Sequence, residues 1–271
     1  MMTPSRPVGE LLRQWRQRRS LSQLDLALRA EVSARHLSFL ETGRSSPSRE
    51  MLLHLAEELD VPLRERNALL VAAGFAPVYS ESELEGPAMR AARDAVDLVL
   101  SGHEPYPALA VDRYWNLVTM NRAVGLLMEE IPQELLQPPI NVLRLSLHPE
   151  GLGSRILNLG QWRAHVLNRL HRQVDATGDA KLAALHEELR AMPIPDGARG
   201  GPPGPDFAGV VIPLRLQTRH GALSLFSTTT VFGTPVDITL AELAIESFFP
   251  ADAATTELLR KAAEDARARA T

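Results

Sequence analysis

Cysteine is absent from the 271 residues, which removes disulfide scaffolds, cysteine-ligated zinc and thiol nucleophiles together. Lysine is nearly absent too, two residues against twenty-seven arginines, a compositional bias without chemistry of its own. Nowhere do eighteen uncharged apolar residues run together, and the first twenty positions carry five arginines with no apolar stretch. Neither a membrane span nor a secretory leader is therefore expected, and the chain reads as cytoplasmic. What is present is globular in character: 45 % hydrophobic and 23 % charged residues, over a length of about two domains at roughly 150 residues each.

The net charge of −4 conceals an asymmetry. From Arg6 to Arg49 nine arginines face four acids, whereas residues 81–271 hold eighteen bases against twenty-four acids. A polyanion is drawn to the front of the chain and repelled by the rest.

Helical periodicity fills the first 75 residues. Val8, Leu11, Leu12 and Trp15 fall on one face of a first helix. Ser22, with Asp25 three residues on, forms a capping box for a second; Ser33 caps a third, closed by Thr42 and Gly43. Pro47-Ser48 opens a fourth and Pro62-Leu63 a fifth that ends near Gly74. With Gln23 as the first position of a helix-turn-helix, the buried positions fall at Leu26, Ala27, Val32, Leu37 and Leu40, all apolar or small. Glu31 stands where the turn favours glycine, because the backbone there is left-handed, at a cost of about 1 kcal/mol.

A 100° wheel with Leu37 inward turns Ser33, Ala34, Leu40 and Glu41 toward the core and Arg35, Phe39 and Thr42 outward, with His36 and Ser38 on the flanks. Such a helix suits a DNA major groove about 12 Å wide, with Ser33, Arg35, His36, Ser38 and Phe39 as its expected DNA contacts and Arg35 as the base reader. Gln23, Arg44, Ser45 and Ser46 are placed to grip phosphates through side chains and backbone amides. Phe39 either meets a thymine methyl or covers the helix junction; both readings stand.

Residues 8–74 resemble the helix-turn-helix of XRE (Cro-type) transcription regulators, through Leu21-Ser22-Gln23, Ser33-Ala34-Arg35-His36-Leu37 and Leu40-Glu41-Thr42-Gly43-Arg44. That resemblance implies an ion pair of Arg16 with Glu41, and the wheel turns Glu41 inward. The remainder is similar to the ligand-binding domain of MmyB-like regulators, a PAS-like α+β module. The similarity rests on Ala73-Gly74-Phe75-Ala76-Pro77, His103-Glu104-Pro105-Tyr106-Pro107, Val111-Asp112-Arg113-Tyr114-Trp115-Asn116-Leu117, Leu147-His148-Pro149-Glu150-Gly151, Phe232-Gly233-Thr234-Pro235-Val236-Asp237 and Glu246-Ser247-Phe248-Phe249-Pro250. It implies a small apolar ligand, a fatty acid among the candidates, enclosed by the sheet and the helices of residues 151–192.

The fold expected is a mainly α five-helix domain at 1–75, a linker at 76–89 and an α+β domain with an antiparallel sheet at 90–271. Within the latter, a helix covers 89–101, and strands 107–111 and 115–120 pair around Asp112-Arg113. Helices at 122–128 and throughout 151–192, a glycine-rich connector at 193–205 and strands at 210–218, 223–232 and 242–249 follow. His220-Gly221 turns between the first two of these strands, and a helix from Thr255 closes the chain. Trp115, Trp162, Phe207, Phe226 and Phe232 either line a pocket or form core. His165, Arg169, His171 and Arg172 make a polar stripe that either holds a carboxylate or is solvated, and the six-residue spacing of the histidines does not suit zinc. No cofactor and no nucleophile–base constellation is written in the chain. The reading is a homodimeric, non-enzymatic regulator that binds a double-stranded DNA operator. The alternative is a protein-interaction module built on a degenerate helix-turn-helix.

Overall fold

Each of the middle helices of the N-terminal third begins where a serine side chain takes up a free backbone amide. In a computed structural model, which describes residues 7–194 and 211–270, Ser22 caps α2 (Gln23–Arg29) with both halves of its capping box to Asp25 in place. Ser33 caps α3 (Ala34–Glu41) and Ser48 caps α4 (Arg49–Glu58). They are flanked by α1 (Val8–Arg18) and α5 (Leu63–Ala72). Glu31 sits at φ 53° and Gly43 at φ 71°, the left-handed conformations expected of the turn and of the α3 terminus. The apolar stripes meet in one core built on Leu12, Trp15, Leu26, Ala27, Leu37, Leu40, Leu52, Leu55, Leu59 and Leu70. Val32, expected inside, is half-buried and packs against the edge of that core.

Two compact units separate. The first holds the residues up to 82 with the short pieces 175–177 and 235–241, and the second holds the rest. In the expected 76–89 linker, Ser80 bridges to Asp237 in parallel, and Asp237 accepts hydrogen bonds from Ser80 Oγ at 2.8 Å and Ser82 N at 3.1 Å.

The second unit contains α6 (Arg90–Gly102), β1 (Ala108–Val111), β2 (Leu117–Met120), α7 (Val124–Met128), α8 (Val142–Leu147), α9 (Leu159–Thr177) up to Val174, and α10 (Ala180–Ala191). The rest of the sheet is β3 (Leu214–Thr218), β4 (Gly221–Val231) and β5 (Ala244–Pro250); α11 (Ile238–Ala241) lies between the last two strands and α12 (Ala253–Ala270) follows. The five strands form one antiparallel sheet in the order β2-β1-β5-β4-β3, the α+β architecture expected. Its β1 is buried throughout because both faces are covered. Leu109 and Val111 join the core shared with α7–α10, whereas Ala108 and Ala110 pack with Val96 and Leu100 of α6.

Several expectations shift. Trp115 is not in a strand: it lies in the β1–β2 turn at φ 67°, held there by Asp112 Oδ1, which accepts from Tyr114 N and Asn116 N at 2.8 and 2.9 Å. The helical run through 192 is interrupted at Gly178 (φ 65°), where α9 ends in a left-handed cap. The β3–β4 turn is Arg219-His220, one residue earlier than read, since Gly221 already pairs with Thr218. α12 begins at Ala253, before Thr255. The glycine-rich connector after 194, Phe207 and the start of the strand at 210 lie outside the described residues.

Candidate nucleic-acid interface and ligand cavity

The recognition helix is set by a close approach and a buried charge pair. A Cβ on Gly9 would stand 2.2 Å from Leu40 O and 2.8 Å from Glu41 O, so glycine is what lets α1 touch the end of α3. There Arg16 grips Glu41 bidentately, Nε to Oε1 at 2.6 Å and Nη2 to Oε2 at 2.8 Å. The Glu41 side chain is 1 % exposed. The hydrogen bond from Arg16 to Glu41, ahead of the opposing effect of burial, raises the guanidinium pKa above its ordinary value.

Gln23 is a third member of this cluster. Its Nε2 donates to Glu41 Oε2 at 2.8 Å, which commits one of the two amide hydrogens to the cluster; the other remains a donor on a half-buried side chain. The backbone amide of Gln23, at the N-terminus of α2, is a further donor available to an anion. The backbone amides of Arg44 and Ser45 both donate to Phe39 O, at 2.9 and 3.2 Å, which leaves side chains as the means by which these residues meet phosphate. Ser33 Oγ is likewise engaged, capping His36 N.

On the outer face Arg35 and Arg44 are exposed and Phe39, His36, Ser38 and Ser45 half-buried, with Ser46 exposed. Phe39 has a further role that its two readings did not include: its ring carries the Arg35 guanidinium at 5.3 Å and that of Arg44 at 5.9 Å. Arg19 is structural, donating from Nε to Leu59 O and from Nη2 to Asp60 O at 2.8 and 2.7 Å. The local excess of arginine thus divides between cations that fix the helices and cations on the α3 face.

In the second unit the sequence-predicted Trp115, Trp162, His165 and Arg169 line one cavity of about 80 Å³, with Leu109, Met128, Leu143, Val166, Glu246 and Phe248. The sheet register explains the polar wall: Leu109 and Thr229 both stand opposite Glu246, a row on one face. Arg169 on α9 pairs with Glu246 and donates to Thr229 Oγ1 at 2.6 Å, while Thr229 Oγ1 donates to Glu246 at 2.7 Å. The same guanidinium stacks 4.4 Å over the Trp115 ring, whose Nε1 donates to Gln173 at 2.8 Å. His165 is four residues before Arg169 and stacks on Trp162 at 5.5 Å. Burial first, then the charges of Arg169 and Arg172, lower the His165 pKa against the weaker pull of Glu246. Trp162 Nε1 is a buried donor with no acceptor among the described residues, an arrangement that costs about 1–3 kcal/mol.

Phe226 does not belong to this site. It stands opposite Phe249 and stacks on it at 5.3 Å, on the sheet face away from Glu246, as the two-residue period requires. Phe232 packs beside the α6 core. His171 lies 5.5 Å from His186, ring to ring, and Arg172 is exposed, so only half of the polar stripe reaches the cavity. A larger cleft of about 380 Å³ opens between Leu126 on α7 and Leu259, Ala262 and Ala266 on α12. Its rim mixes Glu104, Glu129 and Asp265 with Arg122 and His220. Sequence reasoning missed Glu246 and Thr229, whose role depends on cross-strand register, and Gly9, which carries no local signal.

No group of three histidine or acidic residues among the described residues is placed to hold a metal ion, and no helix among them is long and apolar enough to cross a membrane. Residues 92–262 match the family described as "MmyB-like transcription regulator ligand binding domain", and residues 12–66 match "Helix-turn-helix". No curated protein matches the chain. A solved structure, "Structure of an RNA-binding Light-Oxygen-Voltage Receptor", aligns at 11 % identity with a TM-score of 0.26, too low to establish a shared fold. That alignment takes in 95 % of this chain, which spans 64 % of the other's length.

Proposed function

The chain belongs to the MmyB-like transcription regulators and joins their ligand-binding domain to a helix-turn-helix, and from that premise we propose that residues 1–75 read a duplex operator while residues 90–271 bind a small apolar acid. Arg35 reads a base edge, Phe39 holds it for that task, and Arg44 with Ser46 contacts phosphate. The ligand buries an apolar tail beside Trp115 and Trp162 and offers an acceptor head to Trp162, His165 and Arg169; a fatty acid has this form. The molecule acts in the cytoplasm as a homodimer on a two-fold-related site, without catalysing a reaction.

The observation that carries the ligand reading is the buried indole N–H of Trp162, unpaired among the described residues in a wall that also holds Arg169 and His165. The cavity of about 80 Å³ is well short of the roughly 300–1,000 Å³ typical of ligand clefts. A fatty acid therefore has to separate α9 from the sheet to enter, and that separation is what makes binding a signal. Fluorescence anisotropy of a labelled operator duplex, titrated across a salt series, tests the DNA half. A steep fall of affinity with ionic strength is expected from phosphate contacts. A shallow one favours a protein partner for the same helix.

A further inference from the structure

The acid-binding reading puts two carboxylates against one guanidinium. Glu246, whose side chain is 5 % exposed, already holds Arg169, and Thr229 occupies the same contact from both sides. Among the described residues the wall holds no second arginine or lysine, and Arg172, exposed, lies outside the cavity lining. Within this apolar enclosure an uncompensated negative charge is costly. Besides Glu246, which is engaged with Arg169 and Thr229, His165 is the titratable group in the described wall, on the same α9 face as Arg169 and half-buried against Trp162.

Resting on the proposed acid ligand, we infer that His165 is a proton-coupled counter-charge: it takes up one proton when a carboxylate enters the cavity and pairs with that carboxylate as imidazolium. In the free protein the groups facing it are Arg169 and Arg172 from its own helix and Glu246 from β5, and burial together with the two arginines favours the neutral ring. A bound carboxylate reverses that balance by adding a negative charge and a hydrogen-bond acceptor. The proton balance is complete without another reactant, because solvent supplies the proton and no covalent bond changes. Affinity for an anionic ligand then rises as pH falls, by at most about tenfold per pH unit in the window between the free and the bound pKa of His165. A neutral ligand of the same shape has no such dependence. The regulator would therefore answer to the acid and to acidity together.

Isothermal titration of the full chain with decanoate, in buffers of different ionisation enthalpy near neutral pH, measures the protons taken up. Decanol is the neutral control. Uptake approaching one proton with decanoate and none with decanol is expected, and His165→Gln, which keeps an N–H donor, should bind decanoate with no uptake and a flat pH profile. Carboxyl-¹³C decanoate should show the chemical shift of an ionised carboxylate when bound to the unaltered protein, a readout that does not depend on the variant folding. Decanoate binding with no proton uptake, uptake that persists in His165→Gln, or a bound ligand in its protonated form overturns the inference while leaving the acid-binding reading intact. Failure of both probes to bind overturns both.

Discussion

Replacing Arg16 by Met removes the cation from a carboxylate that is 1 % exposed. Gln23 Nε2 at 2.8 Å would then be the neutral donor left to Glu41, so most of the pairing is lost and the desolvation is not recovered. Breaking a buried pair from one side costs about 3–5 kcal/mol. For a domain of this size that lowers the midpoint of unfolding by about 4–8 °C per kcal/mol. The double variant Arg16→Met with Glu41→Leu exposes no charge to an apolar interior, and it should lie within about 1.5 kcal/mol of the unaltered protein. Hydrogen exchange of α1–α3 peptides, read by mass spectrometry in the full chain, reports this without interference from the second unit. Single variants costing under about 1 kcal/mol, or a double variant equal to the sum of the singles, would refute this account.

Gly9→Ala should destabilise the first unit severely, because the methyl would meet Leu40 O at 2.2 Å; a thermal melt within a degree of the parent would show that α1 can slide. Arg35→Ala is expected to cost about 1–3 kcal/mol of operator affinity and to relax preference at one base pair, as read by competition with single-base operator variants. Phe39→Leu keeps apolar bulk but removes the ring that carries both guanidinium groups. It should lower discrimination by about 0.5–1 kcal/mol with helicity unchanged. Leu37→Ala, fully buried, should cost roughly 2–5 kcal/mol of folding stability, measured by denaturant titration.

The N-terminal helices were legible because their caps, periodicity and terminal glycines are local: Ser22, Ser33 and Ser48 each satisfy amides three residues on. The inward turn of Gln23 was not, since its partner Glu41 is eighteen residues away. The second unit divides the same way. Its strands could be found from composition, but which aromatics share a face depends on register, and Phe226 falls opposite Phe249 and away from the cavity. Trp115 looked like a strand residue by type. Asp112 overrides that preference by accepting two backbone amides, and the left-handed backbone brings strain of about 1–3 kcal/mol to the ring that lines the site.

Selection of duplexes from a random library by the full chain, repeated with Arg35→Ala, bears most directly on the claim that α3 reads DNA for a ligand-binding regulator. A two-fold-related site with half-sites about 10–10.5 bp apart, or a multiple of that spacing, is expected from the parent, with one position per half-site losing its preference in the variant. Enrichment of no sequence, or of the same sequence with unchanged preference by both proteins, would contradict it.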